Sequence, residues 1–257
     1  MGTTSSYYFY GATGVETPLD IFGSNLVWWI NADRSRTDSG SNCEALHDLS
    51  ASGIDLSQST PASQPSVQLA ELNGKDTVSF DGVQEYMESP SATDLIDVLF
   101  RNVDYFCIMI TKPRGTTTSQ FMFSTRNGAD GQGFYMPLYV GTLQRFRWII
   151  RRTDTNQVLL DRTGNDFTRN QWHRVEIEQE IGVANRVRIG GSTKISQSLS
   201  ASYPSTGSYN KPLTIGRRSS TPVYGAMDLA EIILVDRLPT SGELTDILTY
   251  IADEWGL

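Results

Sequence analysis

Three glutamates in Val175-Glu176-Ile177-Glu178-Gln179-Glu180 are spaced for acid–base chemistry. Side chains alternate along a strand, so Glu176, Glu178 and Glu180 share one face. Two such carboxylates about 5 Å apart can act as nucleophile and acid in glycoside cleavage with retention. The competing reading is an outer face on which each carboxylate pairs with a nearby arginine. The sequence favours that second reading.

Arginines concentrate between Arg145 and Arg174, with Arg147, Arg151, Arg152, Arg162 and Arg169 between them, in a chain of formal net charge -8. Arg147 adjoins Trp148, and Arg151-Arg152 close the same apolar run. A guanidinium fork binds carboxylates and phosphates in bidentate fashion. Together with Tyr135 and Asp130, this group is the candidate binding surface, fit for an acidic glycan or a neighbouring subunit. Cross-strand pairing with the Glu176–Glu180 face is the simpler use of these arginines, and it is the favoured one.

Other chemistries find little support. His47 and His173 are the sole histidines, and two cysteines cannot make the usual zinc spacings. No EF-hand loop, G-x-S-x-G elbow or Cys–His pairing is present. The glycines from Gly128 to Gly133 lack phosphate-loop spacing. Cys43 sits in a polar stretch and Cys107 inside Tyr105-Phe106-Cys107-Ile108-Met109-Ile110, which favours two unpaired thiols over a disulfide.

The elements that must position these residues are mostly strands. Short apolar runs such as Leu26-Val27-Trp28-Trp29-Ile30, Thr77-Val78-Ser79-Phe80, Tyr105 to Thr111, Phe146 to Ile150, His173 to Glu178 and Leu229 to Val235 alternate with Gly- and Asp-rich turns. That spacing predicts a β-sandwich or barrel. Leu244, Ile247, Leu248, Ile251 and Trp255 fall at helical spacing, behind a Thr240–Glu243 capping box and before Gly256. A C-terminal helix docked on the sheet is expected, since alone it would be marginal in water.

Residues 1–23 read as an extended arm with Tyr7, Tyr8, Phe9, Tyr10 and Phe22 as assembly anchors, and an edge strand stays open as the alternative. Residues 24–257 read as one domain, because no repeat or charged linker divides them. Hydrophobic residues make up 39% of the chain, enough for a substantial core, and charged residues only 19%. The acidic balance opposes nucleic-acid binding, which needs a basic footprint. No stretch is long and apolar enough to span a membrane. No Lys or Arg precedes Arg34, so a secretory leader is not expected at this N-terminus.

Four segments together resemble the laminin-G-like branch of the concanavalin A-like lectin/glucanase superfamily. They are Leu26 to Asp33 with Leu46 to Ser50, Asn73 to Gly82, Gln171-Trp172-His173-Arg174-Val175 with Val187 to Gly191, and Leu213 to Gly216 with Gly225 to Asp236 and the terminal helix. The resemblance covers nearly the whole chain. It implies an all-β fold, a two-sheet antiparallel jelly roll with a short C-terminal helix. It also argues against catalysis, because the middle glutamate stands where the hydrolases of that superfamily carry Asp. The segment moreover matches the "WHxV" strand rather than the catalytic one. Calcium held by Asp130, or by Asp33 and Asp38, is what the resemblance would allow, but turn formation is the favoured role, so no cofactor is expected.

Fold does not fix function. Two non-enzymatic classes remain. The favoured one is a virion structural protein, a phage capsid decoration or tail-appendage subunit, made in the host cytoplasm and contacting other virion subunits or itself as a homo-oligomer. The alternative is a glycan-binding, lectin-like module acting outside cells.

Overall fold

The computed structural model describes residues 15–90, 103–115, 120–124, 133–140, 144–151, 157–161, 166–198, 212–217 and 223–257. For 120–122, 133–140, 145–151 and 157–161 the description is of the backbone alone.

The organising strand is β17 (Ala226–Val235), in which every residue is buried. It lies beside β8 (Tyr105–Pro113), and both read as nearly continuous apolar runs because both of their faces are covered. On the far side of β8 come β13 (His173–Glu180), β14 (Ala184–Ile189) and β15 (Ser192–Ser198). The other edge of β17 is shared by β1 (Leu26–Asn31) and β6 (Lys75–Asp81), and β5 (Ser66–Leu72) pairs with β6.

A second series runs from β12 (Gln157–Asp161) through β11 (Gln144–Arg151), β10 (Gly133–Val140), β9 (Gln120–Ser124) and β16 (Thr214–Ile215). It continues through β7 (Met87–Glu88), β4 (Leu56–Ser57), β3 (Asn42–Leu46) and β2 (Arg36–Ser39). All these pairings are antiparallel. A single bridge from Asn42 to Ser66 joins the two layers at one margin. The expected antiparallel jelly-roll sandwich with a C-terminal helix is the observed fold.

Two cores follow from the alternation of side chains. Between the sheets lie Trp28, Ile30, Cys107, Met109, Val175, Ile177 and Ile232, against Leu46, Leu56, Met87 and Phe123 of the other layer. The Trp28 and Phe123 rings meet across the gap, 5.8 Å apart. Outside the first sheet, Trp29, Phe106, Ile108, Ile110 and Ile233 are covered by Ile247, Tyr250, Ile251 and Trp255 of α2 (Ser241–Trp255).

The Thr240–Glu243 capping box and the left-handed Gly256, at φ 72°, delimit α2 as expected. Asn73 caps its far end, donating from Nδ2 to the carbonyls of Asp253 and Glu254 at 3.2 and 3.1 Å. Asn73 and Gly74 both have positive φ, which suits the tight β5–β6 hairpin turn.

The extended arm needs correction at its inner end. Pro18–Phe22 forms a short helix, α1, opened by a Thr17–Asp20 capping box and packed beside α2. Phe22 is 3% exposed and belongs to the outer core, so burial within the fold has already used this aromatic anchor. Tyr7, Tyr8, Phe9 and Tyr10 lie outside the described residues. Both cysteines are free and buried, and burial pushes each thiol up to about 12.

Candidate functional site

The glutamate face of β13 is built for ion pairing. Arg174 Nε donates to Glu176 Oε1 at 2.8 Å, Arg186 reaches Glu180 at 2.8 Å and Glu178 at 3.4 Å, and Arg188 closes on Glu178. Glu176 and Glu178 are buried rather than solvated. A carboxylate whose oxygens are engaged by a guanidinium in this way is an obstructed nucleophile.

The arginine partners differ from those expected. Arg186 and Arg188 sit on β14, directly opposite Glu178 and Glu176. The Arg147-bearing strand β11 pairs with β10 and β12 in the other series, so it is not the neighbour of β13. Order in sequence suggests adjacency, but the chain changes sheets between β12 and β13.

Of the candidate binding residues, Tyr135 lies on β10 opposite Ile149, and Arg147 and Trp148 lie on β11 opposite Asp161 and Leu160. Arg151 ends β11 opposite Gly133. One hairpin therefore gathers these four positions. Arg152 and Asp130 lie outside the described residues. Asp38 is taken by Arg36 Nε at 3.0 Å, and Asp33 Oδ1 accepts the Asp76 amide at 2.9 Å. Among the described residues no cluster of three or more His, Cys, Asp or Glu is placed to hold a metal ion.

A cleft formed by described residues lies elsewhere. It measures about 380 Å³ and opens at the end of the sandwich where β13 begins, between the 166–172 loop and the β14–β15 turn. Its walls include Phe167, Trp172, His173, Arg174, Gly190 and Lys194.

Local chemistry fixes the loop. Its backbone is tied to β11 through the Asp166 amide on the Gln144 carbonyl (2.6 Å) and the Arg169 amide on Gln144 Oε1 (3.0 Å). It is tied to β8 by the Asn170 amide on the Pro113 carbonyl (2.8 Å). Asn170, at φ 60°, turns the chain into β13. His173 Nε2 lies 2.8 Å from the Thr168 carbonyl oxygen, and its ring stands edge-on to Phe167 at 6.0 Å.

The opposite wall is the two-glycine turn Gly190-Gly191, both at positive φ, which a two-residue hairpin connection requires. The Gly190 amide donates to the Arg174 carbonyl at 2.9 Å. A Cβ at Gly191 would come within 3.4 Å of Arg174 Nη2, so the guanidinium lies against this turn.

Trp172 is half-buried, packed partly on the outer core. Lys112 Nζ sits 5.3 Å from its ring centroid and is anchored by Asp228 at 2.8 Å and by Glu71. Burial works against the Lys112 charge, but hydrogen bonds to Asp228 and Glu71 outweigh it and hold the ammonium above its ordinary value. The cleft thus brings the Trp172 side chain together with the Arg174 and Lys194 side chains on braced backbone.

No family model matches this sequence, and no curated protein matches it. Among solved structures, the chain is similar to the binding domain of botulinum neurotoxin serotype D, with TM-score 0.61 at 10% identity over 91% of this chain and 52% of that one. It is similar to the serotype D ligand binding domain in complex with N-acetylneuraminic acid, with TM-score 0.60 at 11% identity over 91% and 52%. The serotype C1 binding domain gives TM-score 0.60 at 11% identity over 87% and 51%. This chain spans about half the length of those structures. The likeness is one of fold: a β-sandwich.

Proposed function

We propose that this chain is a non-catalytic carbohydrate-binding module and that the cleft at Trp172 is its ligand site. The observation that carries this reading is the composition of that cleft. An aromatic plane offers stacking to the C–H face of a sugar ring, and the Arg174 and Lys194 stems offer donors to hydroxyls. Concave sites with a few converging polar groups are where small ligands bind. One of the similar structures is a complex with N-acetylneuraminic acid, which supports the class of ligand. It supplies no address on this chain, which spans about half of that structure.

The arginine pairing along β13 supports the non-catalytic half of the reading. The ligand complex among the similar structures favours glycan binding outside cells over a virion role, and it is the reading adopted; Phe22, one of the aromatic anchors expected for assembly, packs in the outer core. No helix among the described residues is long and apolar enough to cross a membrane.

The test is an array of immobilised glycans probed with the wild-type protein and with Trp172→Ala. Wild type should bind at least one glycan class, and Trp172→Ala should lose that signal while melting as a folded protein. Equal binding by the variant moves the site away from the cleft. Absence of binding across the array, or release of free sugar from a bound glycan, overturns the reading.

A further inference from the structure

We infer that Lys112 is a positioning residue of the cleft: its ammonium, clamped by Asp228 and Glu71, holds the Trp172 indole where a sugar ring would stack on it. This role rests on the carbohydrate-binding reading above and adds what fixes the aromatic wall of that site. Its basis is a row of side chains running across three neighbouring strands.

Strand register sets the row. His173 pairs with Thr111, so Trp172, one residue earlier, stands across from Lys112. Lys112 pairs in turn with Asp228 on β17. Residues directly opposite on antiparallel strands point to one face, and here it is the outer one, where Trp172 packs partly on the outer core. Lys112 Nζ lies 2.8 Å from Asp228 Oδ2, bonds Glu71 Oε1 of β5, and sits 5.3 Å from the Trp172 ring centroid. The Asp228 side chain is 2% exposed and also meets Arg114 Nε at 3.1 Å, so the anchor of the row is itself held.

The Lys112 charge is compensated by its two carboxylate partners, so what it gives the cleft is a fixed contact. Trp172 lines the cleft and Lys112 does not. Any effect of Lys112 on a ligand therefore passes through the indole. Partial packing on the core leaves the Trp172 side chain torsional freedom, which a cation held against the ring removes. A wall set in advance spares the ligand the cost of ordering it. The backbone is tied to the same strand, because the Asn170 amide donates to the Pro113 carbonyl at 2.8 Å. Strand β8 thus positions Trp172 twice, through the main chain of Pro113 and the side chain of Lys112.

The experiment is calorimetric titration of the full chain with lactose, sialyllactose and the strongest glycan of the array, while NMR follows the Trp172 indole resonance. Lys112→Met should weaken the probe that wild type binds by about fivefold, the ratio that one cation–π contact supplies. The same variant should shift the Trp172 indole resonance before any ligand is added. Lys112→Arg keeps a cation beside the ring and should restore most of the affinity. Glu71→Gln loosens one arm of the clamp at a partly exposed site and should weaken the probe less, by about twofold. If Lys112→Met does not fold, Glu71→Gln decides in its place. Wild-type affinity in the folded variant overturns this role and leaves the carbohydrate-binding reading standing. Lost affinity with an unmoved Trp172 resonance also overturns it, since Lys112 would then act by another route. A blank array, with no heat from lactose or sialyllactose, overturns the carbohydrate reading and this role with it.

Discussion

Trp255 Nε1 donates a 2.7 Å hydrogen bond to Glu231 Oε2, joining the last turn of α2 to the middle of β17. The other oxygen, Oε1, accepts from Trp29 Nε1 and the Tyr250 hydroxyl, each at 2.7 Å, and from Asn31 Nδ2 at 3.2 Å. Burial pushes the Glu231 carboxyl up from its ordinary value, while the four donors pull it down. Such a fully buried polar group is tolerable because its hydrogen bonds are made. The network ties β1, β17 and α2 together at one point and fixes how the helix sits on the sheet.

Trp255 is 1% exposed, so Trp255→Ala should cost about 3–5 kcal/mol through lost packing alone. Trp255→Phe keeps a ring but leaves Oε2 without its indole donor, and should cost about 1–3 kcal/mol. Denaturant unfolding of both variants checks this. A Trp255→Ala midpoint equal to wild type would mean that α2 is not docked as described.

Glu85 gives a pH signature. Burial, and then the nearby Asp81 charge, raise its carboxyl to about 7. A carboxyl whose folded value lies above its unfolded one favours folding at low pH, and that contribution disappears as pH rises through about 7. Wild type should therefore lose stability, relative to Glu85→Gln, between about pH 4.5 and pH 7. Melting temperatures of the two proteins across that window test it. A constant difference at every pH would show that Glu85 does not titrate in this way.

Asn185 and Gln179 face each other on β14 and β13, at 1% and 2% exposure. Both polar side-chain atoms of Asn185, and Gln179 Oε1, have no hydrogen-bond partner among the described residues. Replacing a buried, unpaired amide by an apolar group of similar size removes a desolvation penalty. Asn185→Leu should accordingly raise stability by about 1 kcal/mol. A lower melting temperature would instead show that water bridges the pair.

How much of this is legible in the sequence depends on how local each signal is. The helix α2 is, because Thr240, Glu243, the apolar face and Gly256 all lie within one segment. The strands β8 and β17 are, because burial on both faces leaves an apolar run. The helix α1 is not, since five residues show no periodicity, although its Thr17–Asp20 capping box is present in the sequence. The sequence points to pairing of the glutamates with arginines, but to Arg147 and its neighbours rather than to Arg186 and Arg188. Only the fold shows that β11 and β13 belong to different layers. The cleft is hidden for the same reason. Trp172 and His173 read as part of a strand motif, and Lys194 joins them only when β14 and β15 turn back.

The most direct measurement is an NMR titration of the full chain with the glycan that gives the strongest array signal, following tryptophan indole and backbone amide resonances. The account predicts that the shifts centre on Trp172, His173, Gly190 and Lys194 and saturate together with the binding isotherm. Shifts centred on the β10–β11 hairpin, at Arg147, Trp148 and Arg151, with Trp172 unmoved, would contradict it.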